Sequence, residues 1–465
     1  MELIMRFFHL LSCCCTLWLL SACGPQAQGL TLPPPPTSAE EADPPTDNPG
    51  ADPGTPTDEP VTVENAAAIR SLSMGVGWNL GNNLDAWEED PDDKDYLMPD
   101  EQVWGNPKVQ AVALKKVHDA GFTTIRIPVT WLAKIGPAPD YLIDAAWLAR
   151  VTEVVGYAYD AGFSNIIVDT HHDGRHEKGY TDDGHWVDLK YATRDPARNA
   201  QIKEEIRAVW GQIATNFKDY DERLMFEGFN EPNDGTWSEH SETAAQCRTL
   251  NEWLQVFVET VRASGGYNQT RWLGVPTYSA NPEYTKYLVF PTDPAGRTML
   301  SVHYYEPTDF TLGTYNEQTR EDYLPYTDWG HTGEPGRKYK RYDEDHIRTL
   351  FARLRDEFIA KGIPVYIGET GCSRRSKQKD PRGWAFSLYY MEYMAKAART
   401  YGLPVTLWDC GGKGVPGPEH HYYFRHDTGE YYPDAQEAVE VFLRGWQKED
   451  ADYTLESVYN SAPVF

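Results

Sequence analysis

The sequence predicts a (β/α)8 barrel preceded by a signal peptide and a disordered linker. Three observations carry that fold class. From about residue 63, short apolar, β-branched segments alternate with amphipathic stretches of helical period. Several of those stretches end in a glycine step before the next strand, as at Ala161-Gly162-Phe163, Lys361-Gly362-Ile363 and Tyr401-Gly402-Leu403. Polar or aromatic residues also collect at the ends of the predicted strands, where barrel enzymes keep their active sites. A doubly wound open sheet is the alternative, but no glycine-rich phosphate loop follows the first strand.

In chain order the predicted strands are 75–79, 123–128, 165–170, 224–229, 271–275, 299–303, 364–367 and 405–407. Predicted helices between them include 107–120, 145–161, 198–216, 250–264, 343–361 and 384–401, and a helix is expected after every strand. A barrel needs about 250 residues. The stretch 63–465 is far longer, so loops carry the excess, the largest near 173–197 and 306–342. Both follow strand ends.

The start of the chain is expected to be processed. Residues 7–20 form an apolar run too short to span a bilayer, which takes about 20 residues. The run closes on Leu20-Ser21-Ala22-Cys23, a pattern similar to the bacterial lipobox, in which the cysteine becomes the lipidated N-terminus. Residues 1–22 are therefore expected to be a lipoprotein signal peptide, and 23–62 a linker running from lipidated Cys23 to the catalytic domain, 63–465. Residues 25–62 hold eleven prolines, seven acidic residues and no Lys or Arg, a composition that extends rather than packs. The expected location is extracytoplasmic, anchored to a membrane through lipid alone, at the cell surface. Of the remaining cysteines, Cys247, Cys372 and Cys410, no two have metal-ligand spacing. Cys372 and Cys410 follow adjacent strands, and their pairing is left open.

The formal charge of -27 makes nucleic acid a poor partner. Fifteen Trp and 29 Tyr suit a large core, and they also suit a ligand with flat apolar faces such as a pyranose.

The strand ends narrow the chemistry. They present Asn79 and Asn82, then Arg126, then Asp169-Thr170-His171-His172-Asp173. Asn230-Glu231 follows the fourth strand, His303-Tyr304-Tyr305 the sixth, Glu369 the seventh and Trp408-Asp409 the eighth. Alternation puts His303 and Tyr305 on one face and Tyr304 on the other. It gives Glu227 and Glu231 the same parity, with Glu227 deeper and structural. Two carboxylates among Arg, His, Tyr, Asn and Trp fit glycoside hydrolysis, in which one acid protonates the leaving oxygen and the other carboxylate attacks or activates water. Adjacent His171 and His172 invite a metal reading. Barrel metal sites also use an H-x-H step at the first strand, where this chain has Asn, so no metal and no cofactor are expected.

These residues resemble glycoside hydrolase family 5, its fourth subfamily most. The resemblance spans roughly 70–445 and rests on 77–86 (GWNLGNNLDA), 104–107 (WGNP), 124–131 (TIRIPVTW) and 226–232 (FEGFNEP). It implies a (β/α)8 barrel acting with retention of anomeric configuration, Glu231 as general acid/base and Glu369 as nucleophile. Arg126, His171, Asn230, His303 and Tyr305 fall at supporting positions, and Asn82, His172 and Trp408 at substrate-contacting ones. The chain departs from many relatives in having Thr370, not an aromatic residue, after the nucleophile position, and Asn233-Asp234-Gly235-Thr236-Trp237 after Glu-Pro, where many subfamily members have an arginine shortly afterwards.

The expected function is that of a secreted endo-β-1,4-glucanase, a monomer whose partner is a β-glucan of cellulose, mixed-linkage or xyloglucan type. An endo-β-mannanase and a non-catalytic glycan-binding lipoprotein are the alternatives.

Overall fold

In a computed structural model, the described residues are 65–89, 97–174, 186–316, 321–334, 342–412 and 421–465. They fall within one unit, 55–465. The expected signal peptide, Cys23 and the linker 23–62 lie outside the described residues.

Eight parallel strands close into a barrel. They are β1 (Val76–Leu80), β2 (Thr124–Ile127), β3 (Asn165–Val168), β4 (Leu224–Glu227), β5 (Leu273–Pro276), β6 (Thr298–Tyr304), β7 (Val365–Thr370) and β8 (Val405–Asp409). Around the ring each neighbours its successor, and β8 pairs with β1 to shut the edge. Strands in this setting are covered on both sides, which is why they read as continuous apolar runs rather than alternating ones.

The outer layer is α1 (Ala111–Ala120), α2 (Ala145–Ala161), α3 (Pro196–Asn216), α4 (Thr243–Ala263), α5 (Glu344–Glu357), α6 (Pro381–Tyr401) and α7 (Ala435–Gln447). Local chemistry sets their ends. Side chains of Asp144, Asp195, Asp343 and Asp380 accept amide protons at the starts of α2, α3, α5 and α6. Left-handed Gly162 and Gly402 end α2 and α6.

One expectation fails. No α-helix follows β5; two 3-10 turns, Tyr278–Ala280 and Pro282–Tyr287, stand there instead. Pro282 opens the second turn, and Pro291 and Pro294 beyond it fix φ and remove amide donors, which limits how far a helix could extend. Predicted strand 271–275 also shifts, because Arg271 leaves the strand and its guanidinium donates to the carbonyls of Phe217, Tyr220, Asp221 and Leu224.

A continuous apolar layer separates strands from helices. A smaller cluster, Met74, Ile167, Met225, Met299 and Tyr366, includes side chains of β3, β4, β6 and β7. The long 306–342 connection is pinned by Trp329, fully buried against Tyr389, Tyr390 and Tyr393 of α6. Cys247, Cys372 and Cys410 are buried, and no disulfide joins them.

Candidate active site

Arg126, on β2, is fully buried, and its planar fork organises the rim. Nε donates to Glu227 Oε2 at 2.8 Å, and Nη2 meets Asp169 Oδ2 at 2.6 Å. Nη2 also donates to Asn230 Oδ1 at 2.9 Å, and Nη1 to Glu369 Oε1 at 2.7 Å. Asn79 joins the same fork at 3.2 Å. Glu227 has its second oxygen taken by Ser301 Oγ at 2.7 Å and no exposure, so it is a structural carboxylate.

Glu369 reaches the site through an irregularity. Along β7, Tyr366 pairs in register with Ser301 and Ile367 with Val302, yet His303 pairs with Glu369, leaving Gly368 as an extra residue. Without that shift, Glu369 would take the parity opposite to Tyr366 and face away from the barrel interior. With it, Glu369 Oε2 accepts from the Tyr305 hydroxyl at 3.1 Å while Oε1 faces Arg126.

Glu231 follows β4 on a segment tied to its neighbour by Asn230 N→Thr170 O and by Thr170 Oγ1→Gly228 O. Its Oε1 lies 2.7 Å from His303 Nδ1. Tyr305 and His303 share a face, whereas Tyr304 packs outward on His346 and Phe351. The two carboxyls sit in unequal fields. Burial pushes Glu231 up to about 8, with Arg126 opposing and Glu227 adding. Burial also raises Glu369, to about 7, against the pull of nearby positive charge that includes Arg126. Burial lowers His303, against the opposite pull of Glu369.

The remaining rim residues gather on the β8–β1–β2–β3 side. His171 Nδ1 is 2.9 Å from Asp169 Oδ2, and its ring stacks on Trp408 at 5.7 Å and 6°. His172 Nδ1 is 2.8 Å from the Asp85 carbonyl, and its ring lies 5.4 Å from Trp104. Asn82 is buried with φ +59, and its carbonyl accepts the Asn106 amide at 2.8 Å. The side chains of Arg126, His171, Asn230, Glu231, His303, Tyr305 and Glu369 thus lie around the C-terminal end of the barrel, with Asn82, His172 and Trp408 on one side of them.

Two sets of three ligating atoms lie within 4.8 Å of one another: Asp85–His171–His172 and Glu231–His303–Glu369. In each, imidazole Nδ1 faces an oxygen: Asp169 Oδ2 for His171, the Asp85 carbonyl for His172 and Glu231 Oε1 for His303.

Sequence reasoning missed two supports. His421 stacks on Tyr305 at 5.9 Å and 13°, and its Nε2 is 2.9 Å from the Thr311 carbonyl. Thr311 Oγ1 in turn donates to the Tyr305 carbonyl. Neither residue ends a strand, so a search of strand ends could not find them. The unusual run after Pro232 is braced by Tyr278 and Tyr284, whose hydroxyls bond Asp234, Thr236 and the Trp237 carbonyl. It holds Trp237 half-exposed on the loop that carries Glu231.

Known proteins resemble this chain in sequence and fold. The model of cellulase, glycosyl hydrolase family 5, matches residues 89–414. Endoglucanase A of Paenibacillus barcinonensis is 36% identical over 376 residues, 77% of this chain and 87% of that protein. A solved GH5-4 broad specificity endoglucanase from Bacteroides salanitronis superposes with a TM-score of 0.74 at 42% identity, covering 84% of this chain and 97% of that one. A family 5 xyloglucanase from Paenibacillus pabuli does so with a TM-score of 0.70 at 35% identity, covering 81% and 100%. The chain therefore belongs to glycosyl hydrolase family 5, and it is a glycoside hydrolase of the endoglucanase class.

Proposed function

We propose that the protein is a secreted, retaining endo-β-1,4-glucanase that cleaves plant cell-wall β-glucans by double displacement, with Glu369 as nucleophile and Glu231 as general acid/base. The observation that carries this reading is the spacing of the pair. One oxygen of each carboxyl lies within 4.8 Å of the other. Retaining glycosidases hold their carboxyls about 5–5.5 Å apart, and inverting ones about 6.5–9.5 Å.

The surroundings divide the work. Glu369, gripped by Arg126 and Tyr305, is the carboxyl whose charged form is hydrogen-bonded, as a nucleophile needs. Glu231, the higher of the two, keeps its proton for the leaving oxygen. In the first step Glu369 attacks the anomeric carbon, the glycosidic bond breaks and Glu231 gives its proton to the departing sugar. In the second, Glu231 takes a proton from water, whose oxygen displaces Glu369 and restores the β configuration. Asn230 has its oxygen on Arg126, which turns its NH2 group into a donor for the sugar 2-hydroxyl. Asn82, His172 and Trp408 supply the rest of the contact to the cleaved sugar. The relatives support a β-glucan, since they include endoglucanases, a xyloglucanase and a lichenase. A lipid on Cys23 and the linker after it would hold the barrel off a membrane at the cell surface.

Azide distinguishes the roles. Glu369→Ala should lose turnover and recover it with azide, giving the glycosyl azide of inverted configuration. Glu231→Ala should keep activity on activated aryl glycosides and give the retained azide. The opposite pattern would mean that the roles are exchanged.

A further inference from the structure

We propose that Tyr278 and Ser279, on the connection after β5, are positioning residues for proton transfer: they clamp the run that follows Glu231 and so aim its carboxyl at the leaving oxygen. This rests on the reading of Glu231 as general acid/base. The barrel holds its two glutamates differently. Glu369 lies within β7, whereas Glu231 stands beyond the end of β4, which stops at Glu227. The strand ladder that fixes Glu369 does not reach Glu231, so neighbouring segments must fix it.

They do so from both sides. Upstream, Asn230 N donates to the Thr170 carbonyl beyond β3 at 2.9 Å. Downstream, Ser279 N donates to the Pro232 carbonyl at 2.9 Å. That second bond is made from an unusual backbone. Ser279 and Ala280 are consecutive non-glycine residues with φ +54 and +47, and both are buried. Residues with side chains rarely enter this left-handed region, and those that do cluster at functional sites. An α-helix cannot run through two such residues, so the chain stays on the rim. Ala280 N donates to the Thr277 carbonyl at 2.9 Å, and Thr277 Oγ1 to the Asn281 carbonyl at 2.8 Å, which closes the turn.

Tyr278 supplies the rest of the clamp. Its hydroxyl lies 3.0 Å from both Asp234 Oδ1 and the Thr236 carbonyl. Its ring is buried edge-on to Tyr284, with centroids 5.2 Å apart, and Tyr284 holds the Trp237 carbonyl at 3.0 Å. Gln246 of α4 donates to the other Asp234 oxygen at 2.8 Å. Next to Asp234, Asn233 Nδ2 donates to the Glu231 carbonyl at 3.0 Å, and Asn233 Oδ1 accepts from Gly235 N at 2.7 Å. A movement of Asp234 is therefore passed through Asn233 to Glu231. Proton donation needs the acid within about 2.6–3.2 Å of the leaving oxygen, so a small displacement weakens it. The bonds to Glu369 come instead from Arg126 and Tyr305. Loss of the clamp should thus impair the acid and spare the nucleophile.

The test compares kcat/KM on barley glucan, whose sugar leaving group needs a proton, with kcat/KM on 2,4-dinitrophenyl β-cellobioside, whose leaving group does not. Both report the steps up to the glycosyl-enzyme. Tyr278→Phe keeps the ring and removes the hydroxyl. It should lower kcat/KM roughly tenfold on glucan and less than about twofold on the aryl glycoside. Asp234→Ala breaks the same bond from the other side and should show the same selective loss. The double variant should lose no more than the larger single loss. Equal losses on both substrates, full activity on glucan, or additive losses in the double variant would overturn the proposal. Glu231→Ala, measured in parallel, should show the same selectivity more strongly. If it does and the clamp variants do not, the clamp fails and the acid/base reading stands. If Glu231→Ala loses both substrates alike, the acid/base reading fails and the clamp with it.

Discussion

The chemistry of this site turns on what one arginine does with its five donors. Arg126 faces Asp169, Glu227 and Glu369 at once, and only Glu369 also faces the cleft. Buried charge is tolerated here because each carboxylate has a partner. Tyr305 adds a second donor to Glu369, so Tyr305→Phe removes a bond to the charged form and should raise that carboxyl further. The nucleophile must be ionised and the acid protonated, so activity rises with pH as Glu369 ionises and falls as Glu231 does. In Tyr305→Phe the ascending limb of the pH–kcat/KM profile should move to higher pH, with kcat down roughly tenfold and KM little changed. An unmoved ascending limb would count against Glu369 as the titrating group. Arg126, both glutamates and the histidines were legible in the sequence because strand ends fix where such side chains go. His421 and Thr311 were not, since their contacts depend on how two loops fold over the rim.

At the scale of the strand, alternation alone would have sent Glu369 the wrong way. The register shift at Gly368 restores it, and only a glycine fits there comfortably. A Cβ at Gly368 would lie 3.1 Å from His303 Nε2 and 3.2 Å from Ser301 Oγ, tight enough that His303 must move. Because His303 holds Glu231, Gly368→Ala should lower kcat by roughly 10–100-fold, in keeping with the cost of a small misplacement in a preorganised site. Its thermal midpoint should fall only slightly. A variant with full kcat would show that the shift is not needed for alignment. The missing helix after β5 is the complementary lesson. The expectation came from the barrel pattern, while Pro282, Pro291 and Pro294 in that segment were the stronger local signal.

Over the whole molecule, raised carboxyls set how stability depends on pH. Burial lifts Asp85 to about 8 and Asp173 to about 7, besides the catalytic pair. A carboxyl whose folded value lies above its unfolded value binds more protons when folded. Its contribution is full below about pH 4 and is lost as pH rises through the folded value. The barrel should therefore unfold at a lower temperature at pH 8 than at pH 5. Asp85→Asn retains the oxygen that accepts from Asn83 N but no longer titrates, so it should narrow the gap. A gap of unchanged size would remove Asp85 from the account. The fold itself was readable from strand and helix alternation because a closed parallel barrel repeats one local unit. Its registers were not readable, because they are settled by packing between neighbours far apart in the chain.

The central claim is that Glu369 attacks the sugar and Glu231 handles the proton. The direct test is to inactivate the enzyme with an activated 2-deoxy-2-fluoro-β-cellobioside and map the modified peptide by mass spectrometry. One covalent glycosyl group per chain is expected, carried by the ester of Glu369. A label on Glu231, or no covalent species while the enzyme releases products of inverted configuration, would contradict it.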